Sequence, residues 1–191
     1  IYTTGVYLDL YGELEEPGNS INSELPSSLV KGKLKAQQSF NKEKQILFGD
    51  THVHTTYSTD AFLWSLPILN GEGPHPISDA CDFARFCANL DFWVSTDHAE
   101  ALTPRKWNSI KEAVRNCNNP TDASEPDLVT FLGYEWTQVG DTAQNHFGHK
   151  NVMFRDIDAN KVPKRPIGAG GIATNGMRDS LPGQSKQLRP A

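Results

Sequence analysis

Residues 48–60 read FGDTHVHTTYSTD, which places two histidines two positions apart and an aspartate shortly after them. The short apolar run at residues 46–48 predicts a strand that leads into a long irregular loop. In an extended segment, side chains two residues apart point to the same side, so His52 and His54 can bind one cation together. Imidazole nitrogens and carboxylates such as that of Asp60 are ligands suited to Zn, Mn or Fe. The stretch therefore indicates a metal-binding strand and loop.

The chain that follows alternates predicted strands and helices. Residues 78–89 predict a helix, residues 92–95 a strand, and Thr103 can cap a second helix with Pro104 in its first turn. Residues 128–132 and 150–154 predict two further strands. Strand, helix, strand, helix, strand is typical of a parallel α/β layer. The residues expected on the inner helix faces are Ala80, Phe83, Ala84, Cys87 and Ala88, then Trp107, Ile110, Val114 and Cys117.

Potential metal ligands follow the predicted strands, where α/β folds place their active sites. Asp97 and His98 come after the second strand, and Glu135 comes after the third. The two oxygens of the Glu135 carboxylate can each hold a different ion. If the fourth strand returns antiparallel to the third, His149 comes near Glu135, and we favour it over His146. Successive strands then deliver a ligand each to one rim.

Together these motifs resemble the PHP (polymerase and histidinol phosphatase) superfamily, and more closely the uncharacterised DUF3604 family within that group. The resemblance implies a distorted (β/α)7 barrel with two or three divalent metal ions at its carboxyl rim, of which this chain carries only the N-terminal part. It extends over roughly residues 46–167. The runs that carry it are residues 48–55, 60–61, 91–100, 133–137, 149–151 and 165–167.

The resemblance also implies how the ligands share the ions, which would be Zn, Mn or Fe. The paired histidines would bind one ion, and the glutamate would bridge it to a second ion that the last histidine completes. The aspartate of the first loop and the histidine after the second strand would hold a third. The six implied ligands are His52, His54, Asp60, His98, Glu135 and His149.

The superfamily supplies further ligands from later strands, whereas no histidine follows His149 in this chain. We therefore expect three parts: an N-terminal strand and extended lead-in at residues 1–45, the N-terminal part of the barrel at residues 46–155, and a loop or insertion at residues 156–191. The last part is expected to break off before the fold is complete. The remainder of the polypeptide, continuous or as a separate chain, is then the expected partner.

The reaction implied is hydrolysis of a small anionic ester, a phosphate or a related sulfate or phosphonate, by a metal-activated hydroxide. Asp97 or His98 would assist proton transfer to the leaving group, although Asp97 can equally serve to orient His98. Two alternatives stay open. One is an amidohydrolase-like metalloenzyme acting on C–N or C–O bonds, and the other is a non-catalytic metal-binding or structural module.

Composition excludes some classes of partner. The net charge is −5 and the pI is about 5.6, with no basic stripe, so nucleic acid is not an expected partner. No apolar run reaches the roughly 18 to 20 residues that span a bilayer. The chain starts at Ile1 without Met, which leaves a removed leader and export open.

Cys81, Cys87 and Cys117 form no CxxC motif, so the sequence permits either one disulfide or three buried thiols.

Overall fold

A computed structural model describes residues 18–38, 46–118, 126–138, 140 and 142–168 of the chain. The strand expected within residues 1–14 lies outside this part. No helix in the described segments is long and apolar enough to cross a membrane. The elements are α1 (Ser27–Gln38), β1 (Gly49–Val53), α2 (Thr59–Ser65), α3 (Ile77–Asp82), β2 (Phe92–Ser95), α4 (Pro104–Asn118), β3 (Val129–Gln138) and β4 (Gly148–Phe154). A π-helical turn, Phe83–Cys87, continues α3, and 3₁₀ turns form Pro67–Leu69 and Ala99–Ala101.

The four strands form one mixed sheet in the order β1-β2-β3-β4. Strands β1, β2 and β3 are parallel, with Phe92 of β2 paired to Gly49 and to Val129. Strand β4 runs antiparallel to β3 and pairs Asn151 with Glu135. The expected parallel layer and the antiparallel return of the fourth strand are therefore both present.

The prediction of a distorted (β/α)7 barrel is wrong for the described chain, which forms a small four-stranded sheet with few helices. The connection between β3 and β4 covers only residues 139–147. A parallel crossover takes a dozen or more residues, so this loop can only reverse the chain as a hairpin. The alternation of parallel strands with helices therefore stops at β3.

The sheet is strongly curled. In a flat sheet, β1 and β4 would lie roughly 14 Å apart, at about 4.8 Å for each of three strand spacings. Instead, the Asn151 side chain of β4 donates a hydrogen bond to the Thr51 carbonyl of β1 at 2.8 Å. The two outer strands therefore approach each other across a half-barrel, and side chains on its concave face converge.

The hydrophobic core lies on the opposite, convex face. Helix α4 begins as predicted, with the Thr103 hydroxyl accepting a hydrogen bond from the Lys106 N–H. The segment after β4 also joins this core, since Val162 is buried there and the Pro163 carbonyl accepts the Trp107 indole N–H. The predicted inner face of α4 is confirmed, with no exposed surface on Trp107, Ile110, Val114 or Cys117.

The predicted inner face of the helix at residues 78–89 is correct only for Ala84, which is buried, and Ala80, which packs against the core. Phe83 is 63% exposed, and Cys87 is an exposed free thiol. The helix instead buries Cys81, which forms a disulfide with Cys117. It also buries Arg85, whose guanidinium donates to the Cys117 carbonyl at 2.7 Å and approaches the Asp127 carboxylate. The disulfide and these polar contacts select a helix face that apolar periodicity alone does not indicate.

The lead-in expected to be extended contains helix α1. Its Lys33 ammonium donates to the carbonyls of Leu90 and Asp127 at 2.7 and 2.6 Å and pairs with the Asp91 carboxylate at 3.3 Å. These acceptors lie just before β2 and β3. Helix α1 is therefore tied to the amino end of the sheet, and the long-range contacts of one lysine explain why local composition did not reveal it.

Candidate metal centre

Six side chains with metal-binding groups meet at the rim where β1 and β2 end. His52 lies in β1, and His98 follows the end of β2. Strand β3 extends beyond the predicted residues 128–132, so Glu135 lies within it, and its N–H donates to the Asp97 carbonyl at 3.0 Å. Because β4 is antiparallel to β3, its amino end brings His149 to the same rim.

Glu135 is the centre of this cluster and is 1% exposed. Its Oε2 atom lies 3.0 Å from His54 Nε2, 3.2 Å from His98 Nδ1 and 3.5 Å from His52 Nε2. Its Oε1 atom lies 2.7 Å from His149 Nδ1. One buried carboxylate therefore faces four imidazole rings, with its two oxygens turned to different sets of rings.

The ligand atoms form three overlapping groups, each within 4.8 Å: His52, His54 and Glu135; His54, Asp60 and His98; His98, Glu135 and His149. Ligands bound about 2.1 Å from one ion lie roughly 3.0 to 3.4 Å from each other. The separations in the first group, 2.9 Å between the two imidazoles and 3.0 and 3.5 Å to the carboxylate, are close to those values. The first group therefore has separations that would suit one divalent ion, and the overlap of the three groups would let neighbouring ions share ligands.

Asp60 supplies the outer part of the cluster. It lies in the first turn of α2, and its Oδ2 atom is 3.2 Å from His98 Nε2. Partial burial by itself would raise the pKa of Asp60, but the Ala61 N–H and the neighbouring His98 outweigh that effect and lower it. Asp60 is therefore held as a carboxylate, the form that binds a cation.

Burial favours the metal-binding form of His54 as well, which is the neutral imidazole. Removal of water from its ring, reinforced by the adjacent His98, lowers the pKa of His54, although Asp97 and Glu135 act in the opposite direction. A lowered pKa favours the neutral imidazole, which keeps a nitrogen lone pair for a metal. Near neutral pH, the His54 ring is therefore held in the neutral form that can bind a metal ion.

Asp97 lies beneath the cluster and has no exposed surface. Its carboxylate accepts hydrogen bonds from the Thr55 N–H and hydroxyl at 2.7 and 2.9 Å and from the Ser58 hydroxyl at 2.9 Å. Burial raises the pKa of Asp97, while these hydrogen bonds oppose the rise. A fully buried carboxylate cannot reach a leaving group, so the structure does not favour the predicted role of Asp97 in proton transfer.

Two hydroxyl groups belong to the site without having been assigned a role from the sequence. Thr137 Oγ1 lies 3.1 Å from His98 Nδ1 and 3.2 Å from His149 Nδ1, between the two rings. Ser58 Oγ lies 2.7 Å from His54 Nδ1. Thr137 was detectable in principle, because a residue two positions from Glu135 points to the same side of a strand. Ser58 has no comparable signal.

The other two histidines lie outside the cluster. His75 is exposed and pairs with Asp79 on α3 at 3.0 Å. His146 lies in the β3–β4 loop, where its ring is 3.3 Å from the Gly140 carbonyl. Of the two histidines near β4, the structure thus brings only His149 to Glu135, as expected.

Comparison with known proteins defines the family. The model of a family described as "Protein of unknown function (DUF3604)" matches residues 41–104 and 81–177, well over half of the 191 residues. No curated protein matches the chain, and neither does any solved structure. The matched segments contain all six clustered ligands. The chain belongs to the DUF3604 family of proteins of unknown function.

Proposed function

We propose that this protein is a metal-dependent hydrolase of small anionic esters, phosphates or related sulfates and phosphonates, and a relative of the PHP superfamily. One observation carries the proposal: the buried Glu135 carboxylate faces four imidazoles at separations typical of ligands around shared ions. Clustered divalent ions would supply activation of water and neutralisation of negative charge on the ester. The net negative charge of the chain is no obstacle, since bound cations dominate the local field.

Exposure indicates the side from which a substrate enters. The side chains of His52 and His149 are each 53% exposed, whereas that of Glu135 is 2% exposed. The carboxylate therefore forms the floor of the site, and the two histidines stand at its open edge. An anionic ester would approach between them, with its reacting group directed toward Glu135.

In this proposal, His98 would transfer the proton to the leaving group. Its Nδ1 atom lies near Glu135 and Thr137, and its Nε2 atom lies near Asp60. One ring nitrogen can carry a hydrogen while the other takes up and releases a proton, because the two nitrogens are chemically distinct. In the proposed reaction, water adds to the ester centre and gives one proton to the free nitrogen of His98, the bond to the leaving oxygen breaks, and His98 passes that proton to the leaving oxygen.

Metal content tests whether the protein binds divalent ions at this site. Protein purified without chelators should contain at least about one equivalent of Zn, Mn or Fe by elemental analysis. Glu135→Gln keeps the shape of the side chain and removes the charge, so it should lower that content. Glu112→Gln, on the exposed side of α4, is the matched control and should leave it unchanged.

Enzyme assays test whether the protein hydrolyses anionic esters. We expect metal-loaded protein to hydrolyse at least one member of a panel of aryl and alkyl phosphate, sulfate and phosphonate esters, and Glu135→Gln to lose roughly a hundredfold or more of that rate. The Glu112→Gln control should retain it. Less than about one metal equivalent in the wild type, or amide hydrolysis in preference to every ester, would contradict the proposal.

A further inference from the structure

The Ser58 hydroxyl joins three parts of the candidate metal centre from below. It is 0% exposed. Its oxygen lies 2.7 Å from His54 Nδ1 and 2.9 Å from the Asp97 carboxylate, and it accepts the His98 backbone N–H at 2.9 Å. The Ser58 hydroxyl thus contacts the ring of His54, the backbone of His98 and the carboxylate of Asp97. Asp97 is not a member of the three ligand groups.

Counting hydrogens assigns a direction to each of these bonds. A serine hydroxyl has one hydrogen to donate and two lone pairs to accept with. The backbone N–H of His98 can only donate, so it occupies one lone pair. The Ser58 hydroxyl donates its hydrogen to the Asp97 carboxylate, which accepts from Thr55 as well. The second lone pair then accepts a hydrogen from His54, whose Nδ1 atom must carry it.

We propose that Ser58 and Asp97 are positioning residues that hold His54 as the Nδ1–H tautomer and so direct its Nε2 lone pair into the metal centre. That Nε2 atom lies 3.0 Å from Glu135 Oε2 and 2.9 Å from His52 Nε2. The inference rests on the proposed function only in requiring that the centre binds metal. It does not depend on which ester is cleaved, nor on whether any is.

The arrangement follows a general requirement of metal sites. A ligating histidine needs a partner for its second nitrogen, usually a carboxylate or carbonyl, which sets the tautomer and increases the basicity of the ring. Here a hydroxyl lies between the ring and the carboxylate. The same hydroxyl holds the His98 backbone, so it fixes two neighbouring ligands relative to each other. This also gives the fully buried Asp97 a role that requires no access to substrate.

The tautomer can be observed in the unmodified protein. In Zn-loaded wild type labelled with ¹⁵N-histidine, long-range ¹H–¹⁵N spectra distinguish a protonated nitrogen from a metal-bound one, and His54→Asn identifies the ring. We expect His54 to carry hydrogen on Nδ1 and to bind Zn through Nε2. Binding through Nδ1 would overturn the proposal, and this result does not depend on any Ser58 variant folding.

Zinc affinity provides the second readout, by competition with a chromophoric chelator. Ser58→Ala should weaken binding at one site by roughly ten- to a hundredfold, and Ser58→Thr, which keeps a hydroxyl, should restore at least part of that loss. Ser65→Ala is the matched control, since this hydroxyl at the end of α2 donates to the Phe62 carbonyl instead. Thermal unfolding in chelator checks that each variant is folded.

The outcomes separate the two proposals. Zn affinity in folded Ser58→Ala within about twofold of wild type would overturn the positioning role and leave the proposed function standing. Failure of the wild type to bind Zn, Mn or Fe would overturn both. Metal binding that responds to Ser58→Ala, without hydrolysis of any ester, would support the positioning role and count against the hydrolase.

Discussion

At the scale of single residues, Glu135 depends on its neighbours more than any other ligand. A carboxylate taken out of water without a compensating charge costs several kcal/mol. Glu135 is buried and contacts four imidazoles, so only these neighbours and any bound cation can compensate its charge. The sequence predicted that Glu135 and five other side chains cluster, from carboxylates and imidazoles that follow strands and from the family resemblance. Their role as metal ligands stays a prediction. Ser58 and Thr137 were not assigned, because their hydroxyls act only through contacts that folding creates.

Thr137→Val tests the contacts of one such hydroxyl, because valine has nearly the same size as threonine and lacks the hydroxyl. The change removes the hydroxyl between His98 and His149, which leaves Glu135 as the remaining partner of both Nδ1 atoms. We expect metal affinity to fall by roughly ten- to a hundredfold, because partners of ligating histidines typically contribute that much. Isothermal titration with Zn measures it, with the exposed Thr142→Val as control. An unchanged affinity in Thr137→Val would show that the hydroxyl does not orient these rings.

At the scale of elements, α3 and α4 show where apolar periodicity is insufficient. The face of α4 was predicted correctly, since its large apolar residues recur on one side and all become buried. In α3 and the π-helical turn that continues it, the buried side chains include Cys81 and Arg85, neither of which belongs to the predicted apolar face. The disulfide to Cys117 and the polar partners of Arg85 come from elsewhere in the chain, so no local pattern reveals them.

The Cys81–Cys117 disulfide should contribute measurably to stability. It closes a loop with a sequence separation of 36, for which restriction of the unfolded chain predicts about 3 to 4 kcal/mol. We expect Cys81→Ala to lower the free energy of unfolding in urea by about that amount, and a reductant to have the same effect on wild type. Cys87→Ala, in the same helical segment but exposed, should change it by less than about 0.5 kcal/mol. Equal stability of the two variants would mean that the disulfide adds nothing.

At the scale of the whole molecule, the curl of the sheet assembles the site. The hydrogen bond between Asn151 and Thr51 joins the outer strands, and the six ligands lie at the rim that these strands enclose. The ligands are far apart in sequence, from His52 to His149, so an ion held by them binds the folded chain in preference to the unfolded one. Binding of metal should therefore stabilise the molecule as a whole.

Removal of metal should lower the melting temperature. An ion at about a hundredfold above its dissociation constant contributes about 2.7 kcal/mol, which corresponds to roughly 5 to 10 °C for a chain of this size. We expect a chelator to lower the melting temperature of wild type and of His75→Ala by that amount, because His75 lies outside the cluster. The melting temperature of Glu135→Gln should change little when the chelator is added, because this variant should hold less metal. A wild-type protein that is indifferent to the chelator would contradict a metal centre that spans the sheet.

The sequence by itself predicted the parallel order of the first three strands, the buried face of α4 and the six side chains that cluster at the rim. The first two follow from alternation and helical periodicity, and the six side chains follow from residue types after strands together with the family resemblance. Only the tertiary structure decided that β4 closes a hairpin rather than continuing a barrel, that α1 is held by Lys33, and that Ser58 lies between His54 and Asp97. These features arise from contacts between segments distant in the chain, whose geometry exists only after the sheet has curled.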